Sequence, residues 1–213
     1  EDPEVVASQT LAWYRLKMDM GAGEICEEEL ARAVKLMGED SDNRRADLLL
    51  AQAEVREGAN RNREALEVLD PAVELLRRSG RTPQLQLALE LKGRALFSLR
   101  EMESAGKALD ASLDLAREMG KIDLVADLCS QLGYLYFSRT MLQEAEQFYR
   151  ESLEGYQGYS EEDERGGKTG EAAQWSNLGH TFYARGDFKK AAEYHRKALD
   201  LFESLGDRAA AAN

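Results

Sequence analysis

Apolar residues recur along this chain at steps of three and four, the period of one helix face, and small residues interrupt that face at regular intervals. In "WSNLGHTFYARGD", residues 175–187, Trp175, Leu178 and Phe182 share a face with Gly179 in its middle. A glycine in a helix interior costs about 1 kcal/mol relative to alanine. The close approach of a second backbone is the expected reason for it.

The pattern repeats. Segments 62–76, 101–116, 141–156 and 187–202 align with Ala65, Ala105, Ala145 and Ala191 in register, at spacings of 40, 40 and 46 residues. Leu69, Leu109, Tyr149 and His195 follow four residues later, and Ala72, Ser112, Ser152 and Ala198 three beyond those. Small, large, small on one helical face is a packing surface. A helix precedes each of these, with Ala51, Gly93, Gly133 and Gly179 as its small residue and Gly179 turned toward Ala191 and Ala198 of its partner. Gly80, Gly120, Gly158 and Gly206 stand where a glycine ends a helix, and Gly38 is expected to close an earlier pair. The repeating unit is helix, turn, helix, glycine, over about 40 residues.

This unit resembles the tetratricopeptide repeat. Trp175, Leu178, Gly179, Phe182, Ala191, His195 and Ala198 match that family's pattern, and Cys129, Leu132, Gly133, Tyr136, Ala145 and Tyr149 match nearly as well. The first two units are looser, with Glu54 and Lys92 where the family places apolar residues. The long period is similar to the arrays of spindle-orientation scaffolds, kinesin light chains and bacterial ATP-dependent transcriptional regulators. The expected fold is all-α, a right-handed α-α superhelix (a solenoid) of antiparallel helix pairs in one domain over 1–213. It comprises a degenerate pair at 3–38, repeats at about 44–79, 83–119, 122–157 and 170–205, and an insertion at 158–169 read as a longer surface loop. The closing "GDRAAAAN" reads as the start of a further helix at 207–213, so a longer array is expected.

Composition supports helices: three prolines among 213 residues, 43% hydrophobic, and few β-branched side chains. The net charge of −12 sets the chain against phosphate backbones, and its basic residues form no run, so nucleic acid is not an expected partner. No apolar stretch reaches the length of a membrane span, and a cytoplasmic setting with Cys26 and Cys129 as reduced, buried hydrophobes is the default expectation.

No catalytic residue, metal site or cofactor is expected. "RGGKTGE" ends like a phosphate loop, but Glu162 replaces the glycine that motif begins with. "SEEDE" at 160–164 lacks the ligand spacing of a calcium loop. His180 and His195 have no nucleophile in an obvious elbow, and His195 occupies an aromatic packing position.

The first helices of the pairs carry the candidate site, since repeat stacking sets their outer stripes side by side on the concave face of a superhelix. That stripe reads Arg94, Phe97, Gln131, Tyr134, Phe137, Asn177, His180 and Tyr183. Aromatic anchors with flanking amides suit a groove for a peptide or helix of a partner protein. Packing between repeats is the competing role, above all for Phe97 and Phe137. Asn177 is similar in placement to an asparagine that family members use to bond a ligand's main chain. The leading reading is a non-enzymatic protein-protein interaction scaffold. The alternatives are a regulatory sensor whose superhelix responds to ligand, and weak self-association through the end repeats.

Overall fold

The computed structural model describes residues 2–37, 42–158 and 164–206. Gly38, the 207–213 segment and the centre of the insertion lie outside the described residues. Every regular element among the described residues is helical: α1 (Pro3–Asp19), a 3-10 turn (Gly23–Cys26), α2 (Glu27–Leu36), α3 (Asp42–Gly58), α4 (Asn62–Ser79), α5 (Thr82–Ser98), α6 (Met102–Glu118), α7 (Ile122–Ser138), α8 (Leu142–Gly158), α9 (Glu164–Ala184) and α10 (Phe188–Ser204). The fold is all-α and built of helix pairs.

Helix starts follow ordinary capping chemistry. The Asp2 carboxylate accepts from the Glu4 amide at 3.0 Å with Pro3 in the first turn, and Asp187 accepts from the Lys190 amide at 3.1 Å. Helix ends repeat one device. Asn60, Arg100, Thr140 and Gly186, spaced 40, 40 and 46, are left-handed (φ 59, 66, 59 and 81°) and end α3, α5, α7 and α9. In each case the next amide reaches back five residues, as in Arg61 to the Arg56 carbonyl (2.8 Å) and Met141 to the Tyr136 carbonyl (3.0 Å). Gly80, Gly120 and Gly206 are left-handed as expected, but Gly158 is not: it is the last residue of α8.

Two corrections to the repeat frame follow. The left-handed turns put α3 exactly one 40-residue step before α5, so the equivalent of Gly93 is Ala53 rather than Ala51. Ala53 is fully buried with Leu69 of α4, whereas Ala51 packs with Leu11 of α1 and Leu30 of α2. The second correction concerns 164–169, expected as loop, which forms the first turns of a 21-residue α9. Gly170 fits there because a Cβ would run into the ring of Tyr156 on α8.

The chain divides into two compact units, Glu1–Leu115 and Ala116–Asn213, the division falling inside α6. In the first, α3 is buried on two sides: Leu48, Ala51 and Val55 meet α1 and α2, while Ala46, Leu50 and Ala53 meet α4 and α5. In the second, Ala145, Tyr149 and Leu153 of α8 pack with Leu178 of α9, flanked by Tyr136, Trp175 and Tyr194.

The pairs run antiparallel with backbones close together. The Ser112 hydroxyl donates to the Gln86 carbonyl (3.0 Å), and one repeat later the Ser152 hydroxyl donates to the Ala126 carbonyl (2.7 Å). In these two repeats the small third position of the second helix is therefore also a cross-link. At the other small positions a Cβ on Gly93, Gly133 or Gly179 would fall 2.6 Å from Leu109, Tyr149 or His195 respectively. The glycines occupy the helix crossings, as expected, and the residue facing Gly179 is the large His195 between the two alanines.

Candidate interaction faces

The first helices of the first unit, α1, α3 and α5, enclose an open cavity of about 690 Å3. Its apolar lining includes Leu11, Leu50, Ala51, Leu87 and Leu91; its charged lining is Arg15, Asp19, Asp47, Glu54, Glu57, Arg81 and Arg94. The three helices run parallel and are tied at both ends. Near the N-terminal end Arg44 meets Glu4 (3.5 Å) and Arg81 meets Asp47 (2.8 Å). Near the C-terminal end the Tyr14 hydroxyl donates to Glu54, and Arg94 forks onto Glu57 through Nε (3.0 Å) and Nη2 (2.6 Å). A fork of this kind fixes both side chains in one geometry.

Arg94 thus lines the cavity, held by a partner that the sequence reading missed. Phe97, one turn on, is half-buried. With the frame of α3 set by Asn60, Glu54 holds the repeat position that Arg94, Tyr134 and His180 hold in later repeats, and Glu57 that of Phe97, Phe137 and Tyr183. The recurrence of that turn at 40-residue steps was the available signal.

In the second unit the same stripe runs over α7 and α9. Tyr134 and Tyr183 are 55% and 64% exposed. His180 is also exposed, its ring edge-on to His195 at 4.8 Å between centroids. Tyr183 packs edge-on against Phe188 at 5.3 Å, and Phe188 is itself 62% exposed. Phe137 packs against the core around Tyr149 instead, which is the competing role the sequence left open.

Beneath the stripe lies a polar ladder. Gln174, buried, donates through Nε2 to the Ser130 hydroxyl (3.1 Å) and accepts at Oε1 from the Asn177 amide (3.1 Å). The Thr181 hydroxyl donates to the Asn177 carbonyl at 2.8 Å. Asn177 and Gln131 are half-buried, so Asn177 is oriented by Gln174 before any ligand arrives.

Burial governs the titration of the remaining chemistry-bearing groups. The Cys129 thiol, buried, is pushed up to about 12, and burial raises Cys26 as well; both are free and are kept as thiols rather than nucleophilic thiolates. Burial and then the neighbouring His180 lower His195. Among the described residues no group of three His, Cys, Asp or Glu is placed to hold a metal ion, and no helix is long and apolar enough to cross a membrane. The Gly-Lys-Thr at 167–169 is helical, inside α9, and so forms no phosphate-cradling loop.

The tetratricopeptide repeat family matches residues 126–154 and 172–205, the third and fourth of the 40-residue units. No curated protein is a significant match to the sequence. BtubC (BKLC) from P. vanneervenii superposes with a TM-score of 0.82 at 19% identity, over 96% of this chain and 84% of that one. Kinesin light chain TPR-like repeats from Podosopora anserina give 0.78 at 16% identity, over 97% and 98%. A Rap protein complexed with Competence and Sporulation Factor gives 0.71 at 13%, over 95% of this chain and 55% of that one. Identities this low are evidence of shared fold. Residues 126–154 and 172–205 are thus matched in sequence as tetratricopeptide repeats, and the helix-pair fold along the chain is the one these solved repeat structures share.

Proposed function

We propose that this protein is a non-enzymatic interaction module that takes a peptide or helix of a partner protein on the face formed by its first helices. The observation that carries the reading is the unit 1 cavity, lined by α1, α3 and α5, with Arg94 on its wall. The exposed Tyr134 and Tyr183 on the corresponding helices of the second unit support it. Cavities of this size suit short chain segments, and exposed tyrosines are rigid anchors that lose little entropy on binding. The cross-linked helices would present them preorganised, so that binding costs less ordering. The Rap neighbour, complexed with Competence and Sporulation Factor, shows that a related fold holds a partner.

The test is selection of peptides from a display library on the full chain. Selected peptides are then rebound to the Arg94→Ala, Tyr134→Ala, Tyr183→Ala triple variant, with far-UV circular dichroism to confirm its fold. Loss of about tenfold or more in affinity is expected, given hot-spot losses of about 2 kcal/mol. Peptides that bind wild type and variant equally would exclude the first-helix face.

A further inference from the structure

The acidic groups on the unit 1 cavity are not equally satisfied. Glu57, with its side chain 12% exposed, is held by the Arg94 fork, and Asp47 at the opposite end is held by Arg81. Glu54 lies one turn before Glu57 and also lines the cavity. Its Oε2 accepts from the Tyr14 hydroxyl, an uncharged donor, and Arg15 acts on it through space. Among the described residues no cation pairs with it. A carboxylate taken out of water without a cation is costly, and burial raises its proton affinity above the usual carboxylate range. Leu11, Leu50 and Leu91 provide an apolar floor on the same cavity.

We infer that this end of the cavity is a subsite for one basic side chain, lysine or arginine, of the partner peptide. Its charged head takes Glu54 Oε1 while its methylenes lie on the leucines. A long basic side chain has this division between apolar stem and charged tip. Arg15 and Arg94 line the same cavity, and Arg94 is already engaged by Glu57, so Glu54 is the acceptor left for an incoming cation. The inference rests on the first-helix face being the binding face, and it adds the chemistry of the residue that enters.

The experiment titrates the full chain, by NMR, with acetyl-Leu-Arg-Leu-amide and with the same peptide carrying citrulline, which keeps the shape and removes the charge. Wild type is expected to prefer the arginine peptide by about tenfold, the scale of one charge-assisted hydrogen bond. The preference should disappear in Glu54→Gln, which keeps the side-chain volume and an acceptor for Tyr14, and persist in Tyr14→Phe, which keeps the carboxylate. Equal binding of the two peptides by wild type, binding of neither, or a preference that survives Glu54→Gln overturns the subsite. Because the wild-type comparison alone can overturn it, the test does not depend on the variant folding. Display-selected peptides that are lost by the triple variant, alongside an unchanged arginine preference in Glu54→Gln, remove the subsite and leave the interaction module standing.

Discussion

Gly133 lies directly beneath the ring of Tyr149: a Cβ added to the glycine would fall 2.6 Å from both Cδ1 and Cε1. Tyr149 is 2% exposed and packed with Ala145, Leu153 and Leu178, so the ring has nowhere to retreat. Gly133→Ala therefore destabilises the second unit by about 1–3 kcal/mol, despite the better helix propensity of alanine. Gly58→Ala serves as the control, since a Cβ there meets nothing within 4 Å and α3 is helical at that point. It should stabilise by about 0.4–1 kcal/mol. Urea unfolding followed by circular dichroism reads both, and a Gly133→Ala midpoint at or above wild type would remove the close crossing.

The left-handed turns give a prediction of opposite sign. Arg100 and Thr140 adopt φ of 66° and 59°, a region that disfavours side chains and β-branched ones most of all. The penalty is about 1–2 kcal/mol, and glycine gives back part of it through its freer unfolded chain. Arg100→Gly and Thr140→Gly should each stabilise by about 0.5–1 kcal/mol, with the larger gain at Thr140. The lost Thr140 hydroxyl bond to the Arg139 carbonyl is exposed and counts for little. Thermal melts that fall in both variants would contradict this account of the turns.

Pro71 stands inside α4 on its exposed side. It has no amide to offer the Glu67 carbonyl, and its ring crowds that carbonyl. Pro71→Ala should restore the bond and stabilise the first unit by about 1–3 kcal/mol. The urea midpoint of the variant checks it; no rise would mean that the helix carries no strain there.

What the sequence disclosed and what it concealed divide along physical lines. The crossings at Gly93, Gly133 and Gly179 were legible because a glycine in an amphipathic helix has few other reasons to be there. The frame of α3 was not, because that helix is buried on two faces and offers Ala51 and Ala53 two residues apart, both nearly inaccessible. Amphipathic periodicity cannot choose between them. The slip hid Glu54 and Glu57 from the stripe, and with them the partner of Arg94. In the same way, a glycine-rich polar stretch at 164–169 reads as loop until Tyr156 is seen to occupy the space a side chain at Gly170 would need. Exposed Tyr134 and Tyr183 were legible from period alone, since the opposite faces of α7 and α9 hold the apolar residues.

The contact between His195 and Gly179 makes the last helix pair sensitive to acid. The imidazole lies over the glycine with ring atoms 2.6 to 2.8 Å from where a Cβ would be, and burial, then His180, lowers its proton affinity from the ordinary value of 6.5. A histidine with a depressed value in the folded state contributes stability above the unfolded value and loses it as pH falls through the folded one. The second unit should therefore weaken as pH drops below 6.5, before the carboxylates matter. Glu27 and Glu146, held low by arginines, lose their contribution only below 4.5, and Glu54, raised by burial, works in the opposite direction. His195→Phe keeps an aromatic ring at the position that Tyr149 fills one repeat earlier and removes the titration. Thermal melts of wild type and His195→Phe from about pH 8 to about pH 5, the range over which histidine titrates, should diverge only on the acid side. Parallel slopes through that range would show that His195 is not the acid-sensitive group of this helix pair.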